Sequence, residues 1–142
     1  MVSDKINVRH IISHVKPYSI YLFIVWAVII MTASSIPSLP TLRIRAGEFS
    51  LRLDYLTHAA IYAVLAFLGY LSFSNRSLIL KPPRLLLVTL SLIVFASVDE
   101  FHQKYIPGRT FNPIDLISNI TGIIIVLVFC FRIFMTGDKK TG

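Results

Sequence analysis

Of the seven acidic residues in this 142-residue chain, four stand in three short polar runs beside histidine, glutamine or asparagine. Asp54 is followed four residues later by His58, Asp99 by Gln103 and Asp115 by Asn119. Residues four apart share a helix face, so each pair presents two polar groups to one neighbour. Glu100 adjoins Asp99, and Arg109 follows in the turn Pro107-Gly108-Arg109-Thr110. Carboxylates with a histidine are the parts of acid–base chemistry or of a metal site. Asp99 and Glu100 would act as acid, base or metal ligands, and His58 would shuttle a proton. The planar fork of Arg109 suits a carboxylate or a phosphate equally and would stabilise developing negative charge. No nucleophile stands out: Thr57 and Thr110 are available but undistinguished.

The elements that must hold these groups are strongly apolar. The chain is 55% hydrophobic and 15% charged, with mean hydropathy +0.72, more apolar surface than a soluble domain of this size uses. The apolar residues collect into four blocks, residues 18–36, 55–73, 85–105 and 113–134. The first alone covers ~28 Å as a helix, enough to cross a bilayer. We read an all-α fold, a four-helix transmembrane bundle with short loops. Residues 1–17, with Lys5, Arg9 and Lys16 among Val8, Ile11, Ile12 and Val15 at helical spacing, read as a basic amphipathic segment on the membrane surface. Residues 18–134 form the four-span domain, and residues 135–142 a polar tail. A signal peptide is the rival reading of the first block, since small residues 32–35 follow it; the three further blocks favour a true span. The single Cys130 excludes an intramolecular disulfide and a multi-thiolate metal site, and reads as lipid-facing or as packing filler. His10 and His14 have a spacing that can bind metal, but stand on the basic surface segment.

The net charge of +7 does not point to nucleic acid, because the 14 basic residues are divided among every loop and both termini instead of forming one stripe. Nine of them lie in the N-terminal segment, the loop between spans two and three, and the tail. The other two loops hold Arg43, Arg45, Arg52, Lys104 and Arg109. That excess predicts both termini on the cytoplasmic side, and therefore an outward-facing polar end. Depth adds to this. Residues 85–98 make only ~21 Å of helix and residues 120–131 ~18 Å, against a hydrocarbon core of about 30 Å. An outward-opening polar cavity, or a locally thinned bilayer, would resolve the mismatch.

Several of these residues also have plain structural readings. Asp54 would serve as an N-cap, and Asn112-Pro113-Ile114-Asp115 reads as an N-cap, a proline at the first helical position and an acid at the third. His58 would bond to Asp54. Ala59, Ala63 and Ala66 suit close helix packing. Asp99 and Glu100 sit near the C-terminal end of their helix, where the macrodipole opposes anions, so capping does not account for them. A pair with Arg109, or a functional demand, is the expectation. Lys104 is placed to pair with Glu100, and His102 to face the aqueous boundary.

The run Asp99-Glu100-Phe101-His102-Gln103, then Pro107-Gly108-Arg109, then Asp115, Asn119 and Gly122, resembles the VanZ-like family of membrane proteins. In that family's pattern Asp-Glu-x-x-Gln is followed by Pro-Gly-Arg and then by Asp-x-x-x-Asn-x-x-Gly. Asp54, His58 and Tyr62 match an upstream Asp-x-x-x-His-x-x-x-Tyr element. The chain departs at Tyr55, where relatives often carry lysine, and at Ile125, where a second small residue often follows. The resemblance implies a multi-pass protein of the bacterial plasma membrane, linked in some members to reduced sensitivity to teicoplanin-type antibiotics. It supplies neither a reaction nor a cofactor. Three functions stay open. An outward pocket of Asp54, Gln103, Arg109, Asp115 and Asn119 would bind a lipid or cell-wall precursor headgroup, with Arg52 and two helix N-termini nearby as an anion site. Alternatively, Asp99, Glu100 and His58 would run a membrane-embedded hydrolase or transferase on an envelope lipid. In the third reading the cluster only holds short helices together.

Overall fold

A computed structural model describes residue 12 and residues 14–37, 43–46, 49–52 and 54–136. Most of the basic N-terminal segment, including His10, and tail residues 137–142 lie outside the described residues. Four helices carry the fold: α1 (Ser19–Ser34), entered through a 3-10 turn at Lys16–Tyr18, α2 (Asp54–Phe73), α3 (Pro82–Gln103) and α4 (Pro113–Thr136). All four are long and apolar enough to cross a membrane. Their boundaries follow from local chemistry. Pro17 stands in the turn before α1, Pro82 and Pro83 open α3 where a missing N–H costs nothing, and Asn112 caps α4, its Oδ1 accepting the N–H of Ile114 at 3.1 Å.

The sequence reading of a plain loop between the first two spans needs an addition. Arg43–Ala46 (β1) and Phe49–Arg52 (β2) pair antiparallel, Arg43 opposite Arg52 and Ile44 opposite Leu51. The alternation of arginine with apolar residues in Arg43-Ile44-Arg45 carries this period of two. The register puts Arg43, Arg45, Ser50 and Arg52 at positions of one face, and Ile44, Ala46, Phe49 and Leu51 at positions of the other.

Within the bundle α2 packs against each of the other three helices. The core is built from Tyr62, Leu65, Ala66 and Tyr70 of α2, Val88, Leu92 and Ala96 of α3, and a stripe of Ile123, Leu127, Cys130 and Phe134 on α4. Cys130 is thus buried packing and not lipid-facing. The outward faces are equally apolar: Ile24, Val25 and Val28 of α1, Val94 of α3, and Ile125 and Phe129 of α4 are exposed. Water would penalise that surface and lipid does not. Tyr18 and Tyr21, both exposed at the start of α1, suit the bilayer interface.

Candidate functional site at the polar end of the bundle

The site depends on one close approach. A Cβ on Gly122 would overlap the carbonyl oxygen of Ala59, so only glycine lets α4 lie directly on the α2 backbone. The approach draws together the polar side chains beside it. His58 Nδ1 lies 3.1 Å from Asn119 Oδ1, and His58 Nε2 lies 3.8 Å from Asp115 Oδ2. One ring nitrogen thus meets the Asn119 amide and the other faces the Asp115 carboxylate. Ile125, one of the two departures from the family pattern, is exposed on the far side of α4 and takes no part in this approach.

On α3, Asp99, Glu100 and Gln103 form a buried polar face, with Asp99 1% and Glu100 0% exposed. The Tyr62 hydroxyl donates to Asp99 Oδ2 at 2.7 Å. Glu100 Oε1 accepts the backbone N–H of Asn112 at 2.9 Å, and Glu100 Oε2 accepts from Gln103 Nε2 at 3.3 Å. In a capping box the N-cap N–H is taken by the acid three residues into the same helix. Here Glu100 takes it from a neighbouring helix, and Asp115, the acid in that position, faces His58 instead. Glu100 therefore has a capping role after all, on α4 rather than on its own helix. The positive end of the α4 dipole offsets the unfavourable end of α3.

Arg109 does not meet the carboxylates as the sequence suggested. Gly108, at φ 75°, turns the chain back after α3, and Arg109 donates from Nε and Nη2 to the single oxygen Gln103 Oε1, at 3.0 and 2.8 Å. Arg109, Gln103, Glu100 and the N-terminus of α4 thus form one relay. A further contact at 3.5 Å runs from Arg109 Nη1 to Ala33 O, and Ser35 reaches His102 Nε2 at 3.1 Å, tying the end of α1 to the same corner. Lys104 is exposed while Glu100 is fully buried, so their helical spacing does not become an ion pair. Asp54 stands half-buried at the first residue of α2, one turn from His58.

Asp99, Glu100, Gln103 and Asn119 form a packed cluster, with His58 and Asp115 reaching partial exposure at its rim, 21% and 13% for the side chains. Three buried polar atoms have no hydrogen-bond partner among the described residues: Asp99 Oδ1, Asp115 Oδ1 and Asn119 Nδ2. Among the described residues no group of three or more histidine, cysteine, aspartate or glutamate side chains is gathered closely enough to hold a metal ion. Two participants stand out less in the sequence. Tyr62 lies one turn beyond His58 on the same face, a spacing visible in sequence. Asn112 as the donor to Glu100 depends on the turn after α3 and has no sequence signal.

Four apolar helices around a buried acidic, histidine- and amide-bearing end define a multi-pass membrane protein with a polar cluster buried at one end of its bundle. The VanZ/LLP1 family model matches residues 18–135, and the chain belongs to that family. No curated protein and no solved structure matches it.

Proposed function

We propose that the polar end faces outward from a bacterial plasma membrane, with both termini cytoplasmic, and binds the hydroxyl-bearing, anionic headgroup of an envelope lipid or lipid-linked cell-wall precursor. The carrying observation is the set of unpartnered buried atoms, Asp99 Oδ1, Asp115 Oδ1 and Asn119 Nδ2, all on side chains that contact His58 or Tyr62. A buried polar group without a partner costs about 1–3 kcal/mol. A ligand bringing hydroxyl groups, which both donate and accept, satisfies two carboxylate oxygens and one amide at once. Arg109 at the rim supplies positive charge for a phosphate. Occupying such a headgroup would alter the access of teicoplanin-type antibiotics to the surface. The test is the lipid retained by detergent-purified protein. Arg109→Glu should lose most of the anionic lipid that the unaltered chain retains, and equal retention sinks the reading. Orientation is checked separately by labelling Ser77→Cys and Thr110→Cys in intact cells, where only the latter should react with an impermeant reagent.

A second reading, a hydrolase or transferase acting on the same lipid, is favoured by one feature: the partly exposed His58 ring stands between the Asp115 carboxylate and the Asn119 amide. It requires product release from envelope lipids by the purified protein and its loss in His58→Gln. Absence of any product with several divalent metals would remove it.

A further inference from the structure

An apolar recess of about 300 Å³ lies between α1, α2 and α3, lined among others by Phe23 and Ala27 of α1, Leu65 of α2, and Ser91, Leu92 and Phe95 of α3. It opens where α1 is tied to α2 at its middle and to α3 near its C-terminal end, where Ser35 reaches His102. Trp26 Nε1 donates to Ile61 O at 3.0 Å, and the small side chain of Ala27 leaves the space toward α3 unfilled. At one end the recess is closed by Phe23, edge-on to Phe73 with ring centroids 6.2 Å apart and lying against Gly69, where a Cβ would come within 3.3 Å of it. At the other end stands Phe95, whose ring centroid is 6.3 Å from that of Tyr62. The Tyr62 hydroxyl is in turn bonded to Asp99. Ser91, Phe95 and Asp99 are successive residues four apart on α3, so the lining of the recess and the polar cluster share one helix face, ~6 Å of rise between steps.

Water does not fill an apolar space of this kind, and the recess is continuous with the lipid-facing exteriors of α1 and α3, where Val28, Leu87 and Val94 are exposed. We propose that it receives the hydrocarbon tail of the lipid whose headgroup occupies the polar end, so that the ligand is a bilayer-resident lipid entering sideways between α1 and α3. This rests on the headgroup reading for the identity of the lipid, but the tail site itself has its own test. Tyr62 and Phe95 would stand where tail passes into headgroup, and displacement of the Tyr62 hydroxyl would leave Asp99 open to the ligand.

The test places the full chain in nanodiscs of phosphatidylglycerol carrying a trace of phosphatidylglycerol with a diazirine on its acyl chain, and maps the labelled residues after illumination. Labelling at Ala27, Ser91 and Phe95 is expected to exceed that at Ile125 and Phe129, exposed on α4, by at least about fivefold, since lipid held in a recess stays longer than lipid sliding over a helix. Ser91→Trp, a change at an exposed position, and separately Ala27→Leu should return labelling to the level of α4 while the protein keeps its helical content. Even labelling of all lipid-facing residues in the unaltered chain overturns the tail site. Repeating the experiment with Arg109→Glu, and with a phosphatidylcholine probe, separates the two readings. Enrichment that ignores both changes leaves the tail site standing and removes the anionic headgroup, whereas Arg109-dependent lipid retention without enrichment does the reverse.

Discussion

The two ends of the bundle both bury polar groups, and they treat them differently. At the end where α2 hands over to α3, the Lys16 amine donates to Leu71 O, Ser74 O and Ser74 Oγ at 2.6, 2.9 and 3.1 Å. The Tyr70 hydroxyl donates to Leu78 O at 3.0 Å, and Asn75 closes the turn through Ile79. A cation at a helix C-terminus meets carbonyls that have no partner in the helix, an arrangement favoured by the dipole. At the opposite end the acids Asp99 and Glu100 are buried near a helix C-terminus, and three polar atoms are left over among the described residues. One end is closed by its own chemistry, and the other leaves buried polar atoms without a partner among the described residues. Buried polar groups left unsatisfied in a native structure mark sites of function more often than sites of stability.

The largest break in this contrast should come from Gly122→Ala, which sets a methyl group against the Ala59 backbone. Backbone does not yield as a side-chain tip does, so the cost should reach or exceed the ~1–3 kcal/mol typical of overpacking. The expected result is a large fall in the detergent melting temperature together with loss of lipid retention, because α2 and α4 separate at His58 and Asn119. Next in size is Glu100→Ala, which strands the Asn112 N–H and the Gln103 amide; about 2–3 kcal/mol is expected. Glu100→Gln keeps an acceptor for Asn112 and should recover at least half of that loss. If the two variants melt alike, the capping of α4 by Glu100 is wrong.

The span architecture was legible because hydrophobic blocks of about 20 residues have few alternatives. The second block, residues 55–73, departs from α2 only at the first residue of the helix, and the cap at Asn112 and the small-residue contact at Ala59 were readable from local pattern. Pairings across the bundle were less so. The spacing of Glu100 and Lys104 suggested an ion pair, yet Glu100 points to the interior and Lys104 to the outside. Arg109 found the neutral Gln103 in place of an acid because the turn at Gly108 brings it to the last residue of α3. Such partners are chosen by loop geometry, which a helical period does not encode. The hairpin of β1 and β2 was missed because its four-residue strands are too short to stand out beside spans of helical length.

Lys16→Met tests the closed end. It removes three hydrogen bonds made by a charged donor, and a loss of about 2 kcal/mol is expected, read as a lower melting temperature. Lipid retention and photolabelling of folded protein should be unchanged, since Lys16 lies at the end away from Asp99. Loss of retention at full folding would show that the two ends are coupled and not separate in purpose.

Asp99→Asn should have the smallest effect on stability and the sharpest on function. Aspartate and asparagine side chains have nearly the same shape, so the packing around the position is kept. The amide oxygen of the variant can keep the bond from Tyr62, while its NH2 group replaces a carboxylate oxygen that has no partner to lose. The melting temperature should therefore stay close to that of the unaltered chain. The ligand, however, loses an acceptor of its donated hydrogen bond and meets a second donor in its place. Retained lipid should therefore fall about tenfold, the equivalent of ~1.4 kcal/mol. A variant that melts lower and retains lipid normally would assign Asp99 to the framework, and would make the polar end a second structural closure like the one at Lys16.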